Sequence, residues 1–153
     1  MKLTSSEFKN GGRLPDKCAY AKENLSPQLN WSEIPPGTSE FAIICDDPDA
    51  PSRTWVHWVF YGIPATATGL DLGIPKKPEP SVPIDSKQGK NDFRQFGYDG
   101  PHPPPGPQHR YFFKVFALKE PLKLAPGVNV DVLIKAMKGK IIEQAEIIGI
   151  YSR

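Results

Sequence analysis

The segment from Gly97 to Leu118, GYDGPHPPPGPQHRYFFKVFAL, joins a proline-rich stretch directly to a run of β-forming residues. Five of the seven residues from 101 to 107 are prolines, and proline fixes φ and donates no backbone hydrogen bond. The stretch therefore cannot lie inside a helix or a central strand, and we predict a stiff loop there. Three roles are open for such a loop: a solvated linker, a ligand for a proline-binding domain, or a rigid wall around a binding site.

The run that follows the prolines is one of several predicted strands. Aromatic and β-branched runs bounded by turn residues predict strands at Phe41 to Cys45, Trp55 to Ile63, Tyr111 to Leu118 and Ala145 to Tyr151, with a weaker one at Gln28 to Trp31. Helical spacing occurs at Val130, Leu133, Ile134, Met137 and Ile141, after a capping residue at Asn129. We predict a mainly β fold, a β-sandwich or barrel with one late helix, in a single domain over residues 1–153. The proline-rich loop would then join elements of one core, which disfavours the free linker.

Composition excludes several classes of protein. Charged residues make up 24% of the chain and the net charge is only +2, so neutralisation of a nucleic acid is not its main role. The N-terminus, MKLTSSEFKN, has no apolar leader core, and no apolar run approaches the roughly 18 to 20 residues that span a bilayer. The sequence predicts no transmembrane segment and a cytoplasmic protein.

Motifs of metal sites and common hydrolases are absent. Cys18 and Cys45 lie far apart without CxxC spacing, so they are two ordinary thiols or a bridged pair. No HxH, HExxH or G-x-S-x-G pattern occurs. We therefore predict a protein without metal or cofactor that is not an enzyme.

Several polar side chains converge near the strand ends. Strict alternation along the second strand puts Trp55, His57, Val59 and Tyr61 on one face, and Val56, Trp58 and Phe60 on the other. Along the third strand, His109 and Tyr111 share a face at the end of the proline-rich loop. A single histidine or tyrosine in such a place is more often structural, and the aspartates from 46 to 49 are most simply a turn. Their convergence is what predicts a site.

Two blocks of sequence resemble the phosphatidylethanolamine-binding proteins (PEBP), also called Raf kinase inhibitor-like proteins. The first is DPDAP at residues 47–51 followed by WVHW at 55–58, and the second is GPHPPPG at 100–106 leading to HRY at 109–111. Weaker similarity extends over nearly the whole chain, through NLSP at 24–27, NDF at 91–93 and AEIIGIY at 145–151. The chain looks most similar to the compact prokaryotic branch of the family.

The resemblance implies a fold and a site. The implied fold has two packed antiparallel sheets, with a small anion-accepting pocket near the surface and a cis peptide bond between Ala50 and Pro51. By motif position, the residues that match the pocket and its loops are Asp47, Asp49, Pro51, Trp55, His57, Pro103, Pro104, His109 and Tyr111.

A phosphate ester such as phosphoethanolamine is the ligand we expect, because histidines, a tyrosine hydroxyl and loop amides can donate to its oxygens. Asp47 would repel a phosphate, so we expect it to orient a histidine, cap loop amides or meet the ligand's ammonium group. If a histidine must be protonated, affinity should fall as the pH rises past the imidazole pKa, ordinarily about 6.5.

Other functions use the same residues. The histidines and aspartates could hydrolyse an ester, or the exposed loops could contact a protein partner, since family members are known as inhibitors of kinases or serine proteases. In that case the pocket would be vestigial and the proline-rich loop would be the contact surface. A second copy of the chain, in a homodimer, is a further candidate partner.

Overall fold

The computed structural model describes residues 1–153 and contains nine strands and one α-helix. In chain order these are β1 (Lys2–Thr4), β2 (Gly12–Arg13), β3 (Leu29–Ser32), β4 (Glu40–Asp47), β5 (Trp55–Pro64), β6 (Gly69–Leu70), β7 (Lys87–Gln88), β8 (His109–Leu118), α1 (Val130–Met137) and β9 (Ile141–Tyr151). A short 3-10 turn covers Asp16–Cys18. The predicted mainly β fold is confirmed.

The strands form two sheets. Six strands pair in the order β2-β9-β8-β4-β5-β7, and three pair in the order β1-β3-β6. All pairs are antiparallel except the short β2, which runs parallel to β9. The long strands β4 and β8 occupy the middle of the larger sheet, which matches the continuous apolar run of β4.

Apolar side chains cover both faces of the larger sheet. The main cluster joins inward side chains of β4 and β8, such as Phe41 and Phe113, to Trp31 and Leu29 of the smaller sheet. The two sheets therefore pack face to face, as in a sandwich. On the opposite face a smaller cluster includes Leu133 of α1.

The helix ends earlier than its apolar spacing predicts. Asn129 caps it as predicted, because the side chain accepts a hydrogen bond from the amide of Val132 at 3.1 Å. The inclusion of Ile141 in the helical face is wrong, since Ile141 begins β9. The helix ends at Met137, and Gly139, two residues later, adopts a left-handed φ of 78° that turns the chain away from the helix axis.

A β-bulge at His57 interrupts the alternation of β5. Cys45 pairs with Trp58 and Asp46 pairs with Val56, so His57 is the extra residue that no residue of β4 opposes. A bulge of this kind re-aims the side chains on one side of it. The strict alternation predicted from the sequence is therefore wrong between residues 56 and 58.

The bulge decides which way His57 faces. Val56 belongs to the same cluster as Val59 and Tyr61, beside the helix, and not to the face of Trp58 as predicted. The ring of His57 lies on the other face, 5.2 Å from the ring of Tyr111. Without the extra residue His57 would point toward the helix side of the sheet.

The predicted cis bond at Ala50–Pro51 is wrong. The single cis peptide bond of the chain is Val82–Pro83. The loop after β4 reverses instead at Ser52, which has a φ of 75°, and the amide of Arg53 donates to the carbonyl of Pro51 at 3.0 Å. This tight turn changes the chain direction with all trans bonds.

Cys18 and Cys45 are both buried and are not bridged to each other. The single α-helix has eight residues, and no helix is long and apolar enough to span a membrane.

Candidate functional site

A cleft of about 280 Å³ opens where β4 ends and β5 and β8 begin. Antiparallel pairing brings these strand ends together, so residues that are far apart in sequence meet at one edge of the sheet. Eleven residues line the cleft: Asp47, Ala50, Pro51, Trp55, His57, Phe93, His102, Pro103, Pro104, His109 and Tyr111.

Eight of the nine residues that the sequence singled out line this cleft. The exception is Asp49, whose carboxylate points away from it to Arg110. Asp49 accepts hydrogen bonds from the Arg110 amide, Nε and Nη2, each at 2.9 Å. These bonds to Arg110 lower the pKa of Asp49 to about 2. Asp49 thus ties the loop after β4 to the start of β8.

His57 is almost completely buried, with 3% of its surface exposed. Its Nδ1 lies 2.6 Å from the backbone carbonyl oxygen of Asp99. A carbonyl oxygen can only accept, so Nδ1 carries the hydrogen and donates it. Burial lowers the pKa of His57, although the bond to Asp99 opposes this. The ring is therefore neutral at pH 7, with a lone pair on Nε2.

A buried polar network holds the partner of His57 in place. Asp99 is 1% exposed, and its two carboxylate oxygens accept from the side-chain amides of Asn24 and Asn91, both at 2.8 Å. The Asp99 amide also donates to the carbonyl of His57 at 3.1 Å. Lys76 lies 4.0 Å from the same carboxylate. The His57 ring is thus fixed by a group that has few alternative positions.

Asp47 contacts the second histidine of the cleft. Oδ2 of Asp47 lies 2.7 Å from Nδ1 of His109, and Oδ1 accepts from the amide of Asp49 at 2.8 Å. Asp47 is thus in a position both to orient a histidine and to cap a loop amide. Because Nδ1 of His109 is engaged, Nε2 is the ring atom left for the cleft.

The hydroxyl of Tyr111 is the one buried side-chain polar atom of the chain that has no hydrogen-bond partner. Burial raises the pKa of Tyr111, and the nearby carboxylate of Asp47, which lies close to the hydroxyl but outside hydrogen-bond geometry, raises it further. The phenol therefore stays protonated and keeps a hydrogen to donate. Nε2 of His57 and Nε2 of His109 also make no hydrogen bond. Unlike the hydroxyl of Tyr111, neither nitrogen is fully buried, so solvent reaches both from the cleft.

Aromatic side chains form one wall of the cleft. The ring of Phe93 packs edge-on against Trp55 at 5.5 Å and against His57 at 5.6 Å. Tyr20 stacks on Phe93 at 4.8 Å, and His102 packs against Tyr20 at 5.0 Å. The wall gives a ligand an apolar side next to the polar groups at its base.

Ala50, Phe93 and His102 are the lining residues that sequence reasoning missed. Phe93 lies in a loop outside the strands, at a turn in which the side chain of Asn91 accepts from the Phe93 amide at 2.9 Å. Asparagine favours such a turn because its side chain can accept from the amide two residues later, but the sequence does not show that this turn lies beside the cleft. No group of three or more histidine, cysteine, aspartate or glutamate side chains is arranged to hold a metal ion.

Comparison with known proteins finds relatives that match this chain over its whole length. The family model described as "Phosphatidylethanolamine-binding protein" matches residues 4–152. A UPF0098 protein of Aquifex aeolicus is 49% identical over all of this chain and 89% of its own. A UPF0098 protein of Methanothermobacter thermautotrophicus is 42% identical over all of this chain and 99% of its own.

Two solved structures are also similar over almost their whole length. The crystal structure of Escherichia coli YbcL, described as a new member of the mammalian PEBP family, superposes with a TM-score of 0.93 at 34% identity, covering 99% of this chain and 98% of that one. A phosphatidylethanolamine-binding protein homologue from Chlamydia trachomatis superposes with a TM-score of 0.89 at 32% identity, covering 99% of this chain and 97% of that one.

Proposed function

The chain belongs to the phosphatidylethanolamine-binding protein family, and we propose that its cleft binds the phosphate group of a small phosphate ester, such as the phosphoethanolamine headgroup. The observation that carries the proposal is the unpaired hydroxyl of Tyr111. A buried hydroxyl without a partner costs about 1 to 3 kcal/mol, so its retention beside the cleft is explained if binding of an anion brings an acceptor within its reach.

The charges around the hydroxyl support an anion. When His109 is protonated, Nε2 donates into the cleft, while Asp47 balances the positive charge from the opposite side of the ring at 2.7 Å. Asp47 is held by His109 and by the amide of Asp49, which reduces its repulsion of a phosphate. A volume of about 280 Å³ suits a headgroup better than a drug-sized ligand, whose sites measure roughly 300 to 1,000 Å³.

The test is a calorimetric titration of phosphoethanolamine at pH 6, with inorganic phosphate as a second ligand. Removing a hydrogen bond to a charged group costs about 1.5 to 3 kcal/mol, so His57→Ala and His109→Ala should each weaken binding roughly 10- to 100-fold. Lys135→Ala, on the exposed side of α1, is the control and should bind like the wild type. Wild-type affinity in both histidine variants, with folding verified by circular dichroism, would contradict the site assignment.

A second function, contact with a kinase or serine protease through the proline-rich loop, is favoured by one feature. Residues 104–108 are all exposed, so prolines 104, 105 and 107 present a preformed surface to a partner. If the chain has this second function, Pro104→Ala or Pro105→Ala would abolish the complex with the partner protein, whereas His57→Ala would leave it intact. Hydrolysis of the ester would appear as release of inorganic phosphate, and we expect none.

A further inference from the structure

We propose that the cleft selects an anion that carries its own proton, because Nε2 of His57 can only accept a hydrogen bond. A singly protonated phosphate ester would be bound and a sulfate ester of the same shape and charge would be rejected. The inference rests on the proposed anion-binding function and specifies the chemical form of the ligand.

His57 is fixed in the tautomer that carries its hydrogen on Nδ1. The Nδ1 hydrogen is committed to the carbonyl of Asp99 at 2.6 Å, and the Asp99 amide returns a bond to the His57 carbonyl at 3.1 Å. Turning the ring over would break the first bond and leave a buried carbonyl unpaired, which is costly. The neutral ring therefore presents a lone pair to the cleft at Nε2.

The charges around His57 do not hold the ring in its protonated form, because burial outweighs their attraction. Three carboxylates face the ring from the elements packed around it, and each has partners of its own. Asp99 is bound by Asn24 and Asn91. Asp92, in the loop after β7, accepts from the Val56 amide at 2.8 Å and pairs with Arg53 at 3.3 Å.

The third carboxylate, Asp47 of β4, is held by His109 of β8 at 2.7 Å. The remaining titratable group against His57 is Tyr111, which stays protonated. Burial of the His57 ring outweighs the attraction of the three carboxylates, so its pKa falls below the ordinary value. Nε2 is thus an acceptor throughout the neutral pH range.

The consequence for a ligand follows from hydrogen-bond chemistry. Other groups of the cleft can donate to the oxygens of an anion, while Nε2 of His57 needs a donor from the anion itself. The P–OH of a singly charged phosphate ester supplies that donor and keeps its proton. A sulfate ester has no proton at neutral pH, so its oxygen would face the lone pair of Nε2 without a hydrogen bond. Binding it would require His57 to take up a proton in a buried position.

The experiment compares O-phosphoethanolamine with 2-aminoethyl sulfate by calorimetry at pH 7, where the His57 ring is neutral, with the affinity of the phosphate ester expressed per concentration of its singly protonated form. We expect the phosphate ester to bind at least tenfold more tightly. Its affinity per total concentration should fall about 50-fold from pH 6 to pH 8, because the singly protonated fraction falls with a pKa near 6. His57→Gln offers an amide donor in place of the lone pair, so it should reduce the ratio of the affinity for the phosphate ester to that for the sulfate ester.

The outcomes separate this inference from the proposed function. Equal affinity for both ligands, or a ratio that His57→Gln leaves unchanged, would overturn the selectivity and leave anion binding standing. Absence of binding by either ligand would overturn both. Nitrogen-15 shifts of the wild-type His57 ring test the tautomer without a variant, and a hydrogen on Nε2 of the free protein would also overturn the inference.

Discussion

Replacing Tyr111 with phenylalanine should stabilise the free protein while weakening its binding of phosphate. The hydroxyl is buried without a partner in a residue that is 1% exposed, and such a group costs about 1 to 3 kcal/mol. Its removal should therefore raise the free energy of unfolding by about that amount. For a chain of this size, each kcal/mol corresponds to about 2 to 4 °C in Tm.

Tyr98→Phe is the matched control, because Tyr98 is equally buried and belongs to the same core cluster. Its hydroxyl donates to the carbonyl of Cys18 at 2.8 Å, so its removal breaks a bond and leaves that carbonyl unpaired. This should lower the free energy of unfolding by about 1 to 3 kcal/mol. The two variants differ from the wild type by the same atom, and the expected changes have opposite signs.

Urea unfolding followed by tryptophan fluorescence measures both changes, and calorimetry with phosphoethanolamine measures binding. In Tyr111→Phe we expect roughly 10- to 100-fold weaker binding, from the loss of a hydrogen bond to a charged group. If Tyr111→Phe destabilises the protein as much as Tyr98→Phe does, the hydroxyl has a partner in the free protein. That result would contradict the assignment of the Tyr111 hydroxyl as an unpaired donor.

Three further predictions follow from other parts of the chain. Burial raises the pKa of Cys18 to about 12 and that of Cys45 well above its ordinary value, so a thiol reagent at pH 8 should label neither until the protein unfolds; rapid labelling of the native chain would contradict this. Asp49→Asn should destabilise the protein above about pH 4, and the effect should vanish as the pH falls toward 2, because Arg110 lowers the pKa of Asp49 to about 2. Urea unfolding midpoints from pH 2 to pH 7 measure the difference in stability between wild type and variant. A difference in stability that does not change with pH would refute the role of this carboxylate. In Gly100→Ala the new Cβ would meet the carbonyl oxygen of Cys18 at 1.8 Å, so we expect a loss of at least about 1 to 3 kcal/mol, whereas an unchanged Tm would show that the proline-rich loop shifts without cost.

The strands were predictable from the sequence because their apolar runs are long and bounded by proline and aspartate. β4, β5 and β8 form the middle of the larger sheet, and the predicted runs lie inside them. The polar side chains that gather at their ends were predictable for the same reason, since antiparallel neighbours bring an end and two beginnings together. The short strands β6 and β7, of two residues each, carry no periodicity that a sequence could reveal.

The errors have local physical causes. The bulge at His57 depends on how β5 pairs with β4, and a pattern of single-residue alternation cannot show an unpaired residue. Ile141 continues the helical spacing, but Gly139 ends the helix before it. The fixed ring of His57 depends on Asp99, which is held by Asn24 and Asn91 from distant parts of the chain, and nothing in their spacing indicates that they meet.

The most direct test of anion binding in the cleft is a titration of phosphoethanolamine into isotope-labelled protein, followed by nuclear magnetic resonance at pH 6 and pH 8. We predict saturable shifts at His57, His109 and Tyr111, with a lower affinity at pH 8 and little change on the helix side of the larger sheet. Saturable shifts centred elsewhere, or none at either pH, would contradict the assignment of this cleft as the binding site.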